Sequence, residues 1–565
     1  MISSQRIIQG LSLTVFVAAL CQAPRALLSL WPADGFIRLD PLVFLGTALA
    51  DRQFAPLLWV AAAVLLLALV LGRFFCAYLC PLGTTLDITD RLLCAQRKAR
   101  LKKRAGPPLR SYQNHVLLYI LGAAVLGISL VFFASPLSLI TRFYGLIIYP
   151  LGAFLADMGL TALRPAADRL DLTTLAYAVV KAPRYDLQWL TLLLLLGIFA
   201  GGLWSPRFWC RYLCPSGALL ALFAIKPLVR RRVSGDCTKC GLCVEKCPMG
   251  AIGGPGADGS EHPDLTRHKE CIACLSCVRI CPVQAVSFDL KPPWEIPGPD
   301  AILPDTGESA AGERRRLLAA GLSGAATAMV SLTGLKSPHA EPGPGSIVHP
   351  SVIRPPGAVP ENDFLARCIR CGACLTACPT NTLQPLGLAA GLTAFFSPVV
   401  TPRRGPCDPG CHACGAVCPT GAIPWLPPAE RRSAKVGTAR LDRRKCLAWE
   451  FDKKCLICDE VCPYDAVEFR VVPGQPVPVP FIREYKCAGC GYCEHHCPVR
   501  AVPAIVVTPM LALRLAEGSH REMAREMGYS LEVGKKMDGP PNYPGQDAST
   551  PPELDENGLP PGFTE

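Results

Sequence analysis

The sequence predicts a multi-domain chain. An α-helical membrane domain, four spans in two repeated hairpins plus a fifth span beyond them, carries cysteine-rich α+β domains on both sides of that fifth span. Three observations lead there. Half of the 565 residues are hydrophobic and only 18% are charged, whereas a typical soluble domain is about 25% charged. Five apolar stretches are long enough to consider as spans. The chain also has 30 cysteines, most of them in short sets of nearly constant spacing. The length excludes a small disulfide scaffold, and the apolar content excludes a disordered chain.

The five stretches run over residues 7–31, 56–75, 116–133, 187–204 and 317–335. Lys and Arg between them predict the orientation, because cytoplasmic loops carry the excess. Segment 32–55 has two, 73–114 has nine, 137–188 has five and 205–316 has fifteen. Segments 73–114 and 205–316 are therefore expected in the cytoplasm, and everything after residue 336 outside it. The net charge of +12 is read as a topology signal, with no nucleic-acid partner, because the basic runs flank spans and lack interleaved aromatics. Residues 136–155 are apolar too, but Arg142 and two prolines interrupt them. They are expected to lie at the interface or to re-enter it.

Within the membrane part, RFFCAYLCPLG from Arg73 and RFWCRYLCPSG from Arg207 are a repeat. Each follows a span, and DPL at Asp40 and SPL at Ser135 hold similar places upstream. Two C-x3-C-P hairpins would bring Cys76, Cys80, Cys210 and Cys214 to one membrane face. Four thiols there can hold iron or an iron–sulfur centre, work as dithiol pairs, or lie inert.

The next cysteines are more specific. Cys237, Cys240, Cys243 and Cys247 read C-x2-C-x2-C-x3-C-P, and Cys271, Cys274, Cys277 and Cys281 repeat it. This is the bacterial two-cluster run, in which the fourth Cys ligates the other [4Fe–4S] cube. The predicted wiring is Cys237, Cys240 and Cys243 with Cys281, and Cys271, Cys274 and Cys277 with Cys247. A zinc ribbon would lack the third and fourth Cys at these offsets.

Four more sets follow the fifth span. Cys368, Cys371, Cys374 and Cys378 have the standard spacing, as do Cys487, Cys490, Cys493 and Cys497. Cys407, Cys411, Cys414 and Cys418 have one extra residue in the first gap, and Cys446, Cys455, Cys458 and Cys462 have a first gap of eight. A disulfide framework has no reason to repeat this spacing, so all six sets are expected to be ferredoxin-like and to hold six [4Fe–4S] clusters. Sequential and nested exchange of the fourth Cys are both open in the last four sets. Cys21 and Cys94 are left over. No C-x-x-C-H or P-loop occurs, and no G-x-G-x-x-G stands as a nucleotide fingerprint, the one match at Gly254 to Gly259 lying between two cysteine sets, which points to single-electron chemistry rather than hydride transfer or ATP use.

ERRRLL at Glu313 to Leu318, before the small-residue fifth stretch, reads as an internal twin-arginine signal kept as an anchor. The expected domains are 1–225 (membrane), 226–300 (cytoplasmic two-cluster), 313–336 (fifth span), 337–362 (Pro-rich linker), 363–515 (periplasmic four-cluster) and 516–565 (polar tail).

On these motifs, the first 290 or so residues resemble the polytopic NapH-type component of the quinol dehydrogenase that serves periplasmic nitrate reductase. Residues from about 313 to 510 resemble its exported NapG-type partner, and ferredoxin-type proteins of methylamine utilisation are similar. The resemblance implies a fusion of two components in a bacterial inner membrane. It implies that quinol is oxidised and that electrons leave through the cubes to a periplasmic redox partner, such as a cytochrome or a terminal reductase or dehydrogenase. It marks no catalytic or quinone-binding residue. Two other readings stay open: a conduit from a cytoplasmic reductant to the periplasm, and an electron donor for maturation of a periplasmic metalloenzyme.

Overall fold

The computed structural model describes residues 4–22, 34–53, 59–93, 112–253, 266–290, 310–332, 352–388, 391, 393–499 and 502–534. The basic run at residues 97–104, most of the linker, Cys94 and the tail beyond residue 534 lie outside the described residues.

The first half is helical. Its elements are α1 (Ser4–Gln22), α2 (Pro41–Asp51), α3 (Trp59–Leu71), α4 (Phe74–Tyr78), α5 (Pro81–Leu93), α6 (Tyr112–Val125), α7 (Pro136–Phe143), α8 (Tyr149–Arg169), α9 (Thr173–Ala176), α10 (Gln188–Gly201), α11 (Phe208–Tyr212) and α12 (Pro215–Phe223). Among the described residues two helices are long and apolar enough to cross a membrane: α1, with 19 residues, and the continuous run Pro136–Arg169, with 34. At 1.5 Å per residue, α3, α6 and α10 reach only about 20 Å as helices, short of a hydrocarbon core of about 30 Å. Four full-length spans are therefore not what the described helices display. The outer faces of α3, α8 and α10 are nonetheless apolar, with Leu66, Phe154, Met158, Trp189 and Leu193 exposed.

The run Pro136–Arg169 makes residues 136–155 continuous helix, long and apolar enough to cross, where the sequence points to an interfacial or re-entrant segment. Arg142 does not break the helix because its guanidinium is buried against backbone carbonyls of Phe132 and Ser138. Pro150 is absorbed by one π-helical turn, Tyr144–Ile148. A proline has no N–H for the carbonyl four residues back; here that carbonyl, of Leu146, accepts instead from Gln188 Nε2 at 2.8 Å.

The expected fifth span starts within α13, a helix of 23 residues over Ala310–Leu332, but α13 is not among the helices apolar enough to cross. It packs on α6 through small residues. A Cβ at Gly122 would collide with the Gly321 backbone, and one at Gly324 with Tyr119. Close backbone approach of this kind is how helices associate without a hydrophobic driving force. Tyr119 Oη donates to Thr327 Oγ1 at 3.1 Å across the same contact. Arg314, Arg315 and Arg316 are exposed.

The cysteine-rich parts are small α+β units built on two-stranded antiparallel sheets. Val229–Val233 pairs with Val286–Leu290 around the first two sets. In the second half Leu383–Pro385 pairs with Pro398–Val400, Thr438–Leu441 with Ile505–Thr508, and Val467–Arg470 with Val479–Ile482. One apolar core cluster runs from the helical bundle into both cysteine-rich regions; it contains Cys80, Cys210, Cys214 and Cys371, and Cys247, Cys271 and Cys374 pack against it.

Candidate electron-transfer centres

The two C-x3-C-P repeats form matching corners. In each, a five-residue helix (α4, α11) ends at the break before the second Cys, and a new helix (α5, α12) starts at the following Pro. Proline suits that first position, where its missing N–H is no loss. Cys214 is the N-cap of α12, and its Sγ accepts from Gly217 N at 3.3 Å; Gly83 N–H serves Cys80 in the same way. Cys76, Cys80, Cys210 and Cys214 come together and act on one another electrostatically.

The arginines that open the two motifs cross over. Arg73 Nη2 reaches Cys210 O at 3.5 Å, and Arg207 Nη1 reaches Cys76 O at 3.1 Å. The glycines that close the motifs make room for them. A Cβ at Gly217 would strike the Arg73 guanidinium, and one at Gly83 would sit 2.8 Å from Cys76 O. Arg207 is paired with Asp87 at 2.7 and 2.8 Å, whereas Arg73, 1% exposed, has no ion-pair partner among the described residues.

The DPL and SPL motifs also meet. Asp40 caps α2 and Ser135 caps α7. The fully buried Asp40 carboxylate accepts from Ser135 Oγ at 2.7 Å and from Ser216 Oγ at 2.6 Å. Ser216 lies in the second C-x3-C-P corner, so four helix N-termini (α2, α5, α7 and α12) are tied into the region of the four thiols. Helix N-termini carry partial positive charge and favour anions. The sequence reading aligned these motifs but missed Arg73, Arg207 and Asp40 as parts of the site; their recurrence at matching offsets was the available signal.

Three apolar cavities have the thiols of one set and the fourth Cys of its neighbour in their walls. Cys271, Cys274 and Cys277 share one with Cys247. Cys368, Cys371 and Cys374 share one with Cys418, and Cys487, Cys490 and Cys493 share one with Cys462. Cys378 lies within electrostatic range of Cys407, Cys411 and Cys414. Cys446 acts on Cys458 and shares an apolar cluster with Cys497. The second-half sets thus lie together in sequential pairs, first with second and third with fourth, the arrangement that sequential exchange of the fourth Cys would require. Cys237 and Cys243 are neighbours, with Cys240 exposed beside them; Cys281 accepts from Ala285 N at 3.3 Å.

The donor set fits [4Fe–4S] cubes. Among the described residues no three His, Cys, Asp or Glu converge as a single metal ion requires; thiols instead ring apolar cavities. Burial, with the neighbouring thiols, pushes Cys271 and Cys371 up to about 12 and Cys407 up to about 11. These thiols hold their protons at neutral pH, and iron must displace them. Backbone N–H groups point at sulfur, from Ala251 to Cys247 and Ala466 to Cys462 at 3.3 Å each, and such bonds tune a cluster's potential. Gly241, Gly372 and Gly491 follow the second Cys of their sets with φ of 73°, 81° and 82°, a conformation only glycine adopts freely.

The sites follow one another through the molecule. Tyr78 Oη, beside the membrane thiols, donates to Ala273 O in the Cys271–Cys274 loop at 3.0 Å. On the other side Thr85 meets Tyr144 at 3.2 Å, the adjacent Gly145 packs on Thr376, and Cys374 lies two residues away. Farther along, Cys374 senses Cys414, Cys407 N donates to Cys490 O at 2.8 Å, and Cys493 senses Cys458.

Residues 53–102 and 187–234 match the family described as 4Fe-4S binding domain, as do residues 365–384 for a second family of that description. Residues 236–286 and 406–466 match 4Fe-4S dicluster domains. The 406–466 match runs across the second and third outer sets, which the side-chain geometry assigns to separate pairs. The geometry and these matches define a ferredoxin-type iron–sulfur electron-transfer protein. The methylamine utilization ferredoxin-type protein MauM of Methylorubrum extorquens is 40% identical over 166 residues, 28% of this chain and 72% of that protein. The ferredoxin-type protein NapG of Escherichia coli is 34% identical over 197 residues, 32% of this chain and 77% of that protein. The chain belongs to this NapG/MauM ferredoxin-type family. The Escherichia coli protein YccM is 27% identical over 289 residues, half of this chain.

Proposed function

We infer that the protein is a transmembrane electron wire, a NapH-type membrane component fused to a NapG-type exported one. Its six ferredoxin-type sets hold six [4Fe–4S] clusters. Cys76, Cys80, Cys210 and Cys214 hold a further iron–sulfur centre that joins the two cytoplasmic cubes to the four periplasmic ones. Electrons pass from the quinol pool to a periplasmic oxidoreductase. The clusters supply one-electron exchange. The chain's own residues hold the thiol sets in line, exclude water from them and aim N–H groups and guanidiniums at the sulfurs.

The observation that carries this reading is one apolar core that packs the quartet of Cys76, Cys80, Cys210 and Cys214 together with Cys247 and Cys271 on one side and Cys371 and Cys374 on the other. Iron and acid-labile sulfide on anaerobically purified full-length protein test it. About 28 irons per chain are expected, falling to about 24 in Cys80→Ala/Cys214→Ala, four per cube. A wild-type count near 24 that the double variant leaves unchanged would remove the quartet from the wire.

A second reading, entry from a cytoplasmic reductant, is favoured by one feature. The inner end of the line is open, with Cys240 exposed. Rapid reduction by a reduced ferredoxin, without response to quinol, would select it.

A further inference from the structure

Two arginines stand at the junction between the helical bundle and the outer cysteine-rich domain. Arg142, on α7, is 4% exposed, and Arg370, inside the Cys368–Cys378 motif, is 2% exposed. Both bind only backbone carbonyls. Arg142 donates to Phe132 O and, at 3.2 Å, to Ser138 O. Arg370 donates to Thr393 O and, at 2.8 Å, to Ser129 O, while its Nε has no hydrogen-bond partner. Each guanidinium lies over a ring contributed by the opposite side of the junction: Arg142 over Phe396 at 5.1 Å, Arg370 over Phe132 at 4.2 Å.

Neither arginine has a carboxylate partner among the described residues. The nearby Arg354 is no help, since it is a cation already bonded to Glu361. Burying an unpaired charge is strongly unfavourable, and two together are worse. The groups on which both charges act are thiols: Cys371 on Arg142 and Cys368 on Arg370. With Cys374 and Cys418 these line one cavity. The missing negative charge is therefore that of the loaded site.

We propose that Arg142 and Arg370 are the counter-charges of the cube at Cys368, Cys371, Cys374 and Cys418, and that they make it the highest-potential station of the wire. This rests on the reading that a cube occupies that cavity. One-electron reduction adds one negative charge to a site already holding four thiolates. A fixed cation in a low-dielectric setting favours the reduced form and raises the potential. Elsewhere the structure places single cations at the sulfurs, such as Arg431 Nη2 at 3.1 Å from Cys407 Sγ. This junction has two, with no acid to offset them among the described residues. Electrons leaving the bundle would come to rest here, with both return to the bundle and passage to the next cube uphill.

The test is an EPR-monitored redox titration of the anaerobic full-length holoprotein, with iron counted on the same samples. Arg142→Gln and Arg370→Gln should each move the highest-potential signal to more negative values and leave the other signals in place. Arg142→Lys and Arg370→Lys should restore most of it. Full iron with unchanged potentials in both Gln variants would overturn the proposal. If the Gln variants lose about four irons, recovery of that iron in the Lys variants supports the charge role, and equal loss in both overturns it. Cys374→Ser separates the underlying reading: no loss of iron there would mean that no cube occupies the cavity.

Discussion

The first repeat, Arg73 to Gly83, and the second, Arg207 to Gly217, build the same corner with different charge. Both arginines cross to the other repeat's backbone, both are buried, and both lie against the partner's closing glycine. They differ seven residues beyond the second cysteine. The first repeat has Asp87 there, which takes both prongs of Arg207 and is held by Gln9 Nε2 at 2.9 Å. The second has Ala221, and Arg73 is left with a long contact to Cys210 O and an unpartnered Nε. One arginine is neutralised and serves as a brace. Both act on Cys210, Arg207 more than Arg73, but only Arg73 of the two has no acid paired with it among the described residues. A duplicated scaffold thus carries one buried cation with an acid partner and one without among the described residues.

The largest break in this comparison should come from Asp87→Asn. It leaves Arg207 buried and unpaired, which destabilises proteins by about 3–5 kcal/mol. The prediction is a loss of that size in thermal unfolding of the detergent-solubilised protein. Arg73→Met, by contrast, strands no acid. It should leave the iron-free protein nearly as stable as wild type while lowering iron at the quartet. If Asp87→Asn and Arg73→Met destabilise the iron-free protein equally, the asymmetry has no energetic content.

A smaller effect is expected from the closing glycines. Gly217→Ala would force the Arg73 guanidinium aside, and Gly83→Ala would press on the Cys76 carbonyl. Overpacking costs about 1–3 kcal/mol. The flexible end of Arg73 can yield where a backbone carbonyl cannot, so Gly83→Ala should be the worse of the two in the same unfolding assay. Equal losses would mean that both corners relax alike.

Much of this was legible in the sequence, for a physical reason. A cube demands thiolates at fixed offsets, so the sets and their Cys-Pro ends stand out whatever fold surrounds them. The pairing within the inner module at Cys247 and Cys271 followed from the same rule. The outer pairing did not, because exchange of the fourth Cys depends on how modules dock, and spacing is blind to docking. Residues 136–155 read as interrupted for a related reason. An arginine and two prolines argue against a helix only when their polar groups have no partner, and here Gln188, Phe132 and Ser138 supply them from elsewhere. The crossed arginines were in view as the first letters of a repeat, but a buried cation differs from a topology signal only once its neighbours are known.

The smallest expected effect concerns the carboxylate that ties the repeats together. Asp40 accepts from Ser135 in one upstream motif and Ser216 in the second corner, as well as from Leu42 N at 3.0 Å. Removing one donor leaves a buried acceptor short of a bond, at a cost of about 1–3 kcal/mol. Ser135→Ala breaks the tie between the two cap motifs, and Ser216→Ala the tie to the corner that carries Cys214. If the carboxylate only holds helices together, the two variants should lose similar stability and bind iron alike. If it positions the thiols, Ser216→Ala alone should also lower iron at the quartet. A double-variant cycle with Asp40→Asn gives the arbitration. Coupling to iron content through Ser216 but not Ser135 would place Asp40 on the cysteine side of the corner, and equal coupling would leave it a structural clasp.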